Sequence, residues 1–306
     1  MRVLVTGGAG FIGSHVCELL AARGDEVHIF DDLSNGKREN VAPGATLHQG
    51  SLVDAAATRA VLAEVRPAQV FHLAAQVSVI ESMKDPHNDL DRNVGGMINL
   101  LAACRENGQP KIIYSSTGGA IYGEPRVEDL PVDETYPERP LSPYGLTKLT
   151  AERYLWLEGA VHGQPYAVVR YANVYGPRQD PHGEAGVVAI FTQRLFDGRV
   201  CTVFGDGEQT RDFVYVGDVA RATVAAADAE SGQIFNVGTG LETSVNQVVA
   251  ALRAAWGGEM QVTHADARPG EVLRICLDVS KIERVLGWRP EVDFAEGIQR
   301  TVDSFR

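Results

Sequence analysis

The chain has 306 residues, 44% hydrophobic and 22% charged, with 32 Gly and 14 Pro, a globular profile that excludes disorder and collagen. Its length suits two domains sharing a cleft, or one large α/β body with a smaller lobe. Forty acidic against 28 basic residues leave a net charge of −12 with no clustered Lys/Arg run, so nucleic acid and anionic membranes are not expected partners.

RVLVT opens the chain as a strand and runs through a glycine-rich turn into a helix predicted over 12–23. EVHIF is the next strand. A helix over 55–65, strand QVFHLA, and a helix over 88–106 with Leu90, Val94, Met97, Ile98 and Leu101 at helical spacing follow. After strand KIIYSS comes a helix over 143–160, opened by Ser142 with Pro143 in its first turn, and then strand YAVVRYA. This alternation predicts a parallel sheet with crossover helices. The segments 123–143, with five prolines, and 176–186, GPRQDPHGEAG, are too irregular for elements and too long for simple turns, and so are candidate active-site loops. Strand-like CTVF, FVYV and IFNVG, helices over 244–256 and 295–305, and a turn-rich 264–271 complete a mixed α/β lobe.

The turn after the first strand, Gly7-Gly8-Ala9-Gly10-Phe11-Ile12-Gly13, contains G-x-G-x-x-G. Glycines allow a tight turn and close backbone approach, and the helix N-terminus offers free N–H groups to a pyrophosphate. The second strand ends in Asp31-Asp32, with Asp31 eighteen positions after Gly13, near the spacing at which a carboxylate takes the adenosine ribose hydroxyls. An acid there repels a 2′-phosphate, which favours NAD over NADP.

Tyr144-x-x-x-Lys148 puts a phenol and an ammonium one turn apart on one helix face. A nearby cation favours the phenolate, so the pair can serve as a general base. Ser115-Ser116-Thr117 stands at the C-terminal edge of its strand, where open α/β sheets place ligands. Hydroxyls there can bind a reacting sugar oxygen, although one or two of the three can equally satisfy their own turn.

TGGAGFIG, DDLSNG, HLAA at 72–75, Asn93, SSTGGAIYGE, PYGLTK and RYANVYGPR together resemble the extended short-chain dehydrogenase/reductase family, and within it the nucleotide-sugar 4-epimerases. The likeness runs from Met1 to about Trp288. It implies a Rossmann-type doubly wound parallel sheet over 1–175, with a later contribution from about 213–238, and a smaller mixed α/β nucleotide-sugar lobe over 176–306. The implied activity is NAD-dependent epimerisation of a UDP-hexose at C4 through a transient 4-keto sugar.

By that resemblance Tyr144 is the acid or base on the 4-hydroxyl, Lys148 binds the nicotinamide ribose and lowers the tyrosine pKa, and Thr117 bonds the same sugar oxygen. NAD is expected along Gly7, Gly10, Phe11 and Ile12; Asp31, Asp32, Asn35 and Gly36; Ser51 and Leu52; Leu73, Ala74 and Ala75; and Asn93. Asn173, Arg211, Arg268 and Glu271 match positions that hold the nucleotide sugar, and Ile275 matches the position that gates the sugar 2-substituent. Two departures stand out. Ser51 replaces the usual adenine-contacting aspartate, and the strand-end motif is one residue longer than the common form, which leaves Ser116 as a substitute for Thr117.

The alternatives are a 4,6-dehydratase or decarboxylase of the same family and an inactive NAD-binding protein. Gly118-Gly119 occupies the place where dehydratases carry an Asp-Glu pair, and decarboxylases tend to have an acid nearby. An inactive member would tolerate loss of Tyr144 or Lys148, and both are present. The resemblance further implies a homodimer through helices 88–106 and 143–160. Cys17, Cys104, Cys201 and Cys276 lack C-x-x-C spacing and are expected as reduced thiols, with no metal site. No apolar stretch reaches about 18 residues and no leader pattern precedes the first strand, so no membrane partner and a cytoplasmic location are expected.

Overall fold

The computed structural model describes residues 1–182, 186–267 and 272–306. Its strands are β1 (Arg2–Thr6), β2 (Glu26–Asp31), β3 (Thr46–Gln49), β4 (Gln69–His72), β5 (Lys111–Thr117), β6 (Tyr166–Tyr171), β7 (Asn173–Tyr175), β8 (Cys201–Phe204), β9 (Thr210–Arg211), β10 (Phe213–Tyr215), β11 (Gln233–Val237), β12 (Thr243–Ser244) and β13 (Val262–Ala265). Seven form a sheet in the order β11-β6-β5-β4-β1-β2-β3, with every neighbouring pair parallel. Val3, Leu4 and Val5 in consecutive positions are fully buried, as expected of a parallel strand covered on both faces.

One face carries α1 (Phe11–Ala22) and, from later in the chain, α9 (Val216–Ala225), where Val16, Cys17 and Leu20 share a core with Val219 and Ala222. The other carries α2 (Ala55–Val65), α5 (Gly96–Glu106) and α7 (Pro143–His162), packed through Leu62, Met97, Leu101 and Leu155. Between α2 and α5 the chain forms α3 (Val79–Lys84) and α4 (Pro86–Leu90), and α6 (Gly118–Ile121) follows β5 directly. A third core joins Phe191, Val203, Phe213, Leu252 and Ile298 from α8 (Val187–Phe196), β8, β10, α10 (Val245–Trp256) and α12 (Phe294–Asp303). The helix α11 (Ser280–Leu286) packs against β11.

Three expectations change. The helix over 88–106 starts at Pro86 and widens into a π turn at Asp91–Gly95 before α5. The edge strand TLHQ lacks the apolar alternation that marks strands; Thr46 and Gln49 are exposed, and pairing with β2 defines it. The first two residues of the turn-rich 264–271 belong to β13, which pairs with β8. The prolines of 123–143 do keep that segment irregular, apart from a 3-10 turn at Val127–Asp129 and a bridge from Val132 to Leu277. All four cysteines are buried and free.

Because the strands run parallel, Gly7, Asp31, Ser51, Leu73 and Thr117 all fall at the C-terminal edge of the sheet.

Candidate functional site

At the β1–α1 turn Gly7 has φ +72°, and a Cβ there would stand 2.6 Å from the Ala74 nitrogen, so the turn and the loop after β4 meet backbone to backbone. A Cβ on Gly13 would stand 2.1 Å from the Gly7 oxygen. Gly10 caps α1 without a side chain, and among the described residues the N–H groups of Phe11 and Ile12 have no acceptor. Asp31 is buried at the end of β2, where its carboxylate accepts the N–H of Ala9 at 3.0 Å and of Leu33 at 2.9 Å. Burial pushes its pKa up, and those two N–H groups oppose the rise. One bond per oxygen leaves lone pairs free for hydroxyls.

The loop after β2 closes over Asp31, since a Cβ on Gly36 would meet its Oδ1 at 2.7 Å. Asp32 accepts the Ser34 hydroxyl at 2.6 Å, while Asn35 is exposed. Leu52 is buried beneath Gly96, and Ser51 Oγ accepts a long bond from the Val53 N–H, at 3.4 Å. A bare helix N-terminus, a glycine turn with no room for side chains and a buried carboxylate at the next strand end fit a dinucleotide.

The catalytic candidates stand on α7. Ser142 Oγ accepts the Gly145 N–H at 3.1 Å, Pro143 sets the first turn, and a Cβ on Gly145 would lie 2.8 Å from the Ala120 oxygen. The helix start is therefore pressed onto α6, the short helix that follows β5. Lys148 is 3% exposed; its Nζ donates to the Ser115 oxygen at 2.8 Å and lies 4.9 Å from the Tyr114 ring centre. Burial lowers its pKa to about 8 against the pull of Asp89 and Glu152. Tyr144 is half-buried, and desolvation pushes its pKa up to about 12, with Thr117 opposing the shift and Asp89 adding to it. The phenol thus moves upward here, opposite to the expected effect of the lysine.

Ser116 and Thr117 separate cleanly. Ser116 is buried and donates to Glu152 Oε1 at 2.5 Å, and Glu152 in turn holds the fully buried Arg170 at 3.0 and 2.6 Å. That hydroxyl is committed to Glu152 in the core. Strand alternation turns Thr117 the other way, to the side of Tyr144. A Cβ on Gly119 would have Asn173 Oδ1 at 3.4 Å and Thr117 Oγ1 at 3.9 Å, so Asn173 flanks the same spot. The Cβ place of Gly118 is taken by Leu277 Cδ1, at 2.5 Å.

Asn93 lies in the π turn, which turns its amide inward. Its Nδ2 donates to Thr147 Oγ1 at 3.1 Å and to Asp89 Oδ1 at 3.2 Å, and its Oδ1 accepts the Gln76 N–H at 2.8 Å. Reading the sequence missed Asp89, Gln76 and Thr147; the spacing of Asp89 to Asn93, four residues on one helix face, was the available signal.

On the other side of the cleft, Arg211 Nη1 donates to the Thr210 oxygen at 2.8 Å, next to Asp212, whose buried carboxylate gathers the Thr239 hydroxyl at 2.6 Å and the N–H groups of Thr239 and Gly240. Arg268 and Glu271 lie outside the described residues. Ile275 is 2% exposed within the main core, so it faces packed side chains rather than an open surface.

The NAD dependent epimerase/dehydratase family model matches residues 3–238, and the chain belongs to that family. Among curated relatives, UDP-glucose 4-epimerase of Mycolicibacterium smegmatis is 45% identical over 312 residues, covering 100% of this chain and 99% of the relative. Among solved structures, UDP-glucose 4-epimerase with UDP-glucose from Thermotoga maritima is 46% identical at a TM-score of 0.97, with 100% and 99% of the two chains covered. The Thermus thermophilus UDP-glucose 4-epimerase complex with NAD is 48% identical at a TM-score of 0.95, again with 100% and 99% covered.

Proposed function

We propose that the protein is a UDP-hexose 4-epimerase, interconverting UDP-galactose and UDP-glucose with bound NAD. The observation that carries this reading is the assembly of Thr117, Tyr144, Lys148 and Asn93 at the sheet edge next to the Gly7–Gly13 cradle, in a chain nearly half identical to UDP-glucose 4-epimerases over its full length. When bound, NAD supplies a positively charged ring that accepts hydride from sugar C4 and returns it to the opposite face.

The protein's own part is acid–base and positional. Tyr144 takes the 4-hydroxyl proton as the C4–H bond yields its hydride, leaving a 4-keto sugar, and gives it back on the return. Thr117 bonds the same oxygen and keeps it in line with the phenol. Lys148, fixed by the Ser115 oxygen, holds its cation beside the cofactor ribose. Asp31 accepts the adenosine ribose hydroxyls, and the N–H groups of Phe11 and Ile12 take the pyrophosphate. Asn173 and Arg211 meet the nucleotide-sugar diphosphate, for which an arginine fork is suited. We assign NAD to 1–175 with 213–238, and the nucleotide sugar to 176–306.

Gly118 and Gly119 bear on the dehydratase and decarboxylase alternatives, because no acid follows Thr117 and a methyl of Leu277 fills the space at Gly118. We assign a homodimer built on the helices over 88–106 and 143–160, supported by the exposed Leu90 and Ile98 on the first and Leu146 and Trp156 on the second. Four free buried thiols fit a reducing compartment, the cytoplasm.

The test is to incubate the purified protein with UDP-galactose and no added cofactor, assay UDP-glucose, and identify the dinucleotide released on denaturation. Conversion with NAD released is the expected result; no conversion overturns the epimerase reading, and release of NADP overturns the role given to Asp31.

A further inference from the structure

Two buried carboxylates of different standing favour the charge on Lys148. Glu152, one turn further along α7, is neutralised by Arg170, which reaches it through two nitrogens. Asp89, on α4, is 0% exposed and receives hydrogen bonds from neutral groups: the Thr147 hydroxyl at 2.6 Å, Gln76 Nε2 at 2.8 Å and Asn93 Nδ2 at 3.2 Å. Among the described residues no cation forms an ion pair with it. A buried carboxylate without a counter-ion is costly, and such groups persist where their charge is used.

The three donors are also the three pieces of the site. Thr147 sits between Tyr144 and Lys148 on α7, Asn93 belongs to the π turn, and Gln76 follows Leu73, Ala74 and Ala75 on the loop after β4. Among the described residues Asp89 is the one side chain that bonds all three, and Gln76 and Asn93 are further locked by the Gln76 N–H on Asn93 Oδ1. Its charge reaches both reacting groups, supporting the ammonium of Lys148 and opposing loss of the proton from Tyr144. The other groups facing the lysine are neutral or already paired: the Tyr114 ring and Ser115 oxygen from β5, His72 at the end of β4, which burial holds neutral, and Glu152.

We propose that Asp89 is a positioning residue of the reaction, fixing Asn93, Thr147 and the loop after β4 in one geometry and supplying the buried negative charge that faces the Tyr144–Lys148 pair. This rests on the epimerase reading. Asn93, one of the three donors, is carried by the π turn that follows Leu90.

The test compares wild type with Asp89→Asn, which keeps the size but removes the charge and turns one acceptor oxygen into a donor, so that one of the three bonded groups must shift, and Asp89→Glu, which keeps the charge and displaces it. Three quantities are measured: kcat and KM on UDP-galactose, co-purified NAD, and the titration of the Lys148 amine by carbon-detected NMR, assigned by its loss in Lys148→Arg. In Asp89→Asn kcat falls about 10²-fold, as misplacement of reacting groups by about an ångström does, with KM and NAD content near wild type. The Lys148 midpoint moves to lower pH, because a charge that favours the ammonium has gone. In Asp89→Glu kcat falls while the midpoint stays. A lowered melting temperature with kcat and midpoint both at wild-type values overturns the proposal. If Asp89→Asn fails to fold, Asp89→Glu decides, and wild-type kcat in that variant overturns it. Wild type that leaves UDP-galactose unchanged overturns the epimerase reading instead, and an unmoved Lys148 midpoint in Asp89→Asn then overturns the charge assigned to Asp89.

Discussion

Tyr144 and Lys148 titrate in opposite directions for the same reason, since taking either charge out of water favours its neutral form. For Lys148 the ammonium is lost near pH 8, so turnover that depends on that cation declines as pH rises through about 8. Lys148→Arg keeps a charge that does not titrate in this range, and should remove that alkaline limb even at reduced kcat; a pH–rate profile of the two proteins checks it, and an identical limb in both assigns the decline to another group. Tyr144→Phe removes only a hydroxyl from a ring that still packs. Bound NAD should survive, while turnover drops by about 10²-fold or more with loss of the proton acceptor. Absorbance of the purified variant at 260 and 280 nm, set beside its initial rate, separates the two effects.

The β1–α1 turn makes the strictest demand of any local element. At Gly13 the Gly7 oxygen stands where a Cβ would be, at 2.1 Å, and backbone cannot swing aside as a side chain can. Gly13→Ala is therefore expected to cost about 1–3 kcal/mol of stability, as overpacking does, and to lower the NAD retained. Urea unfolding and dinucleotide content report both; a wild-type midpoint with full NAD would mean that the turn relaxes. Ile275 stands differently from the expectation placed on it. At 2% exposure in the core, enlargement to tyrosine overpacks before it screens a sugar. Ile275→Tyr should lower the melting temperature, and a change confined to the ratio of kcat/KM for UDP-N-acetylglucosamine and UDP-glucose, with no loss of stability, would restore it as a gate.

A group of exposed apolar side chains lies on neighbouring helices: Val79, Ile80 and Met83 on α3, Ile98 on α5, and Leu146, Trp156 and Val161 on α7. Of these, α7 also carries Tyr144 and Lys148, so a partner seated there would stiffen that helix from its outer side. Trp156→Glu should convert a dimer to monomers in sedimentation experiments, with activity reduced and the fold kept by circular dichroism. A wild type that sediments as a monomer at micromolar concentration removes the homodimer.

Local rules carried the glycine turn, the carboxylate at the end of β2, the Tyr144–Lys148 pair and the alternation behind the parallel sheet. Each depends on spacing within one strand–turn–helix unit, and the chemistry of backbone approach and helix periodicity acts over that range. Edge strand β3 was not visible, because its partner rather than its own composition defines it. The choice between Ser116 and Thr117 needed the third dimension. Alternation says that adjacent residues face opposite ways but not which way is inward, and it is Glu152, thirty-six residues on, that holds Ser116 inward. Asp89 lay deepest of all. Its meaning comes from Gln76, Asn93 and Thr147 converging from three elements on a carboxylate that has no ion-pair partner among the described residues, and the packing of α4 and the π turn against α7 creates that convergence.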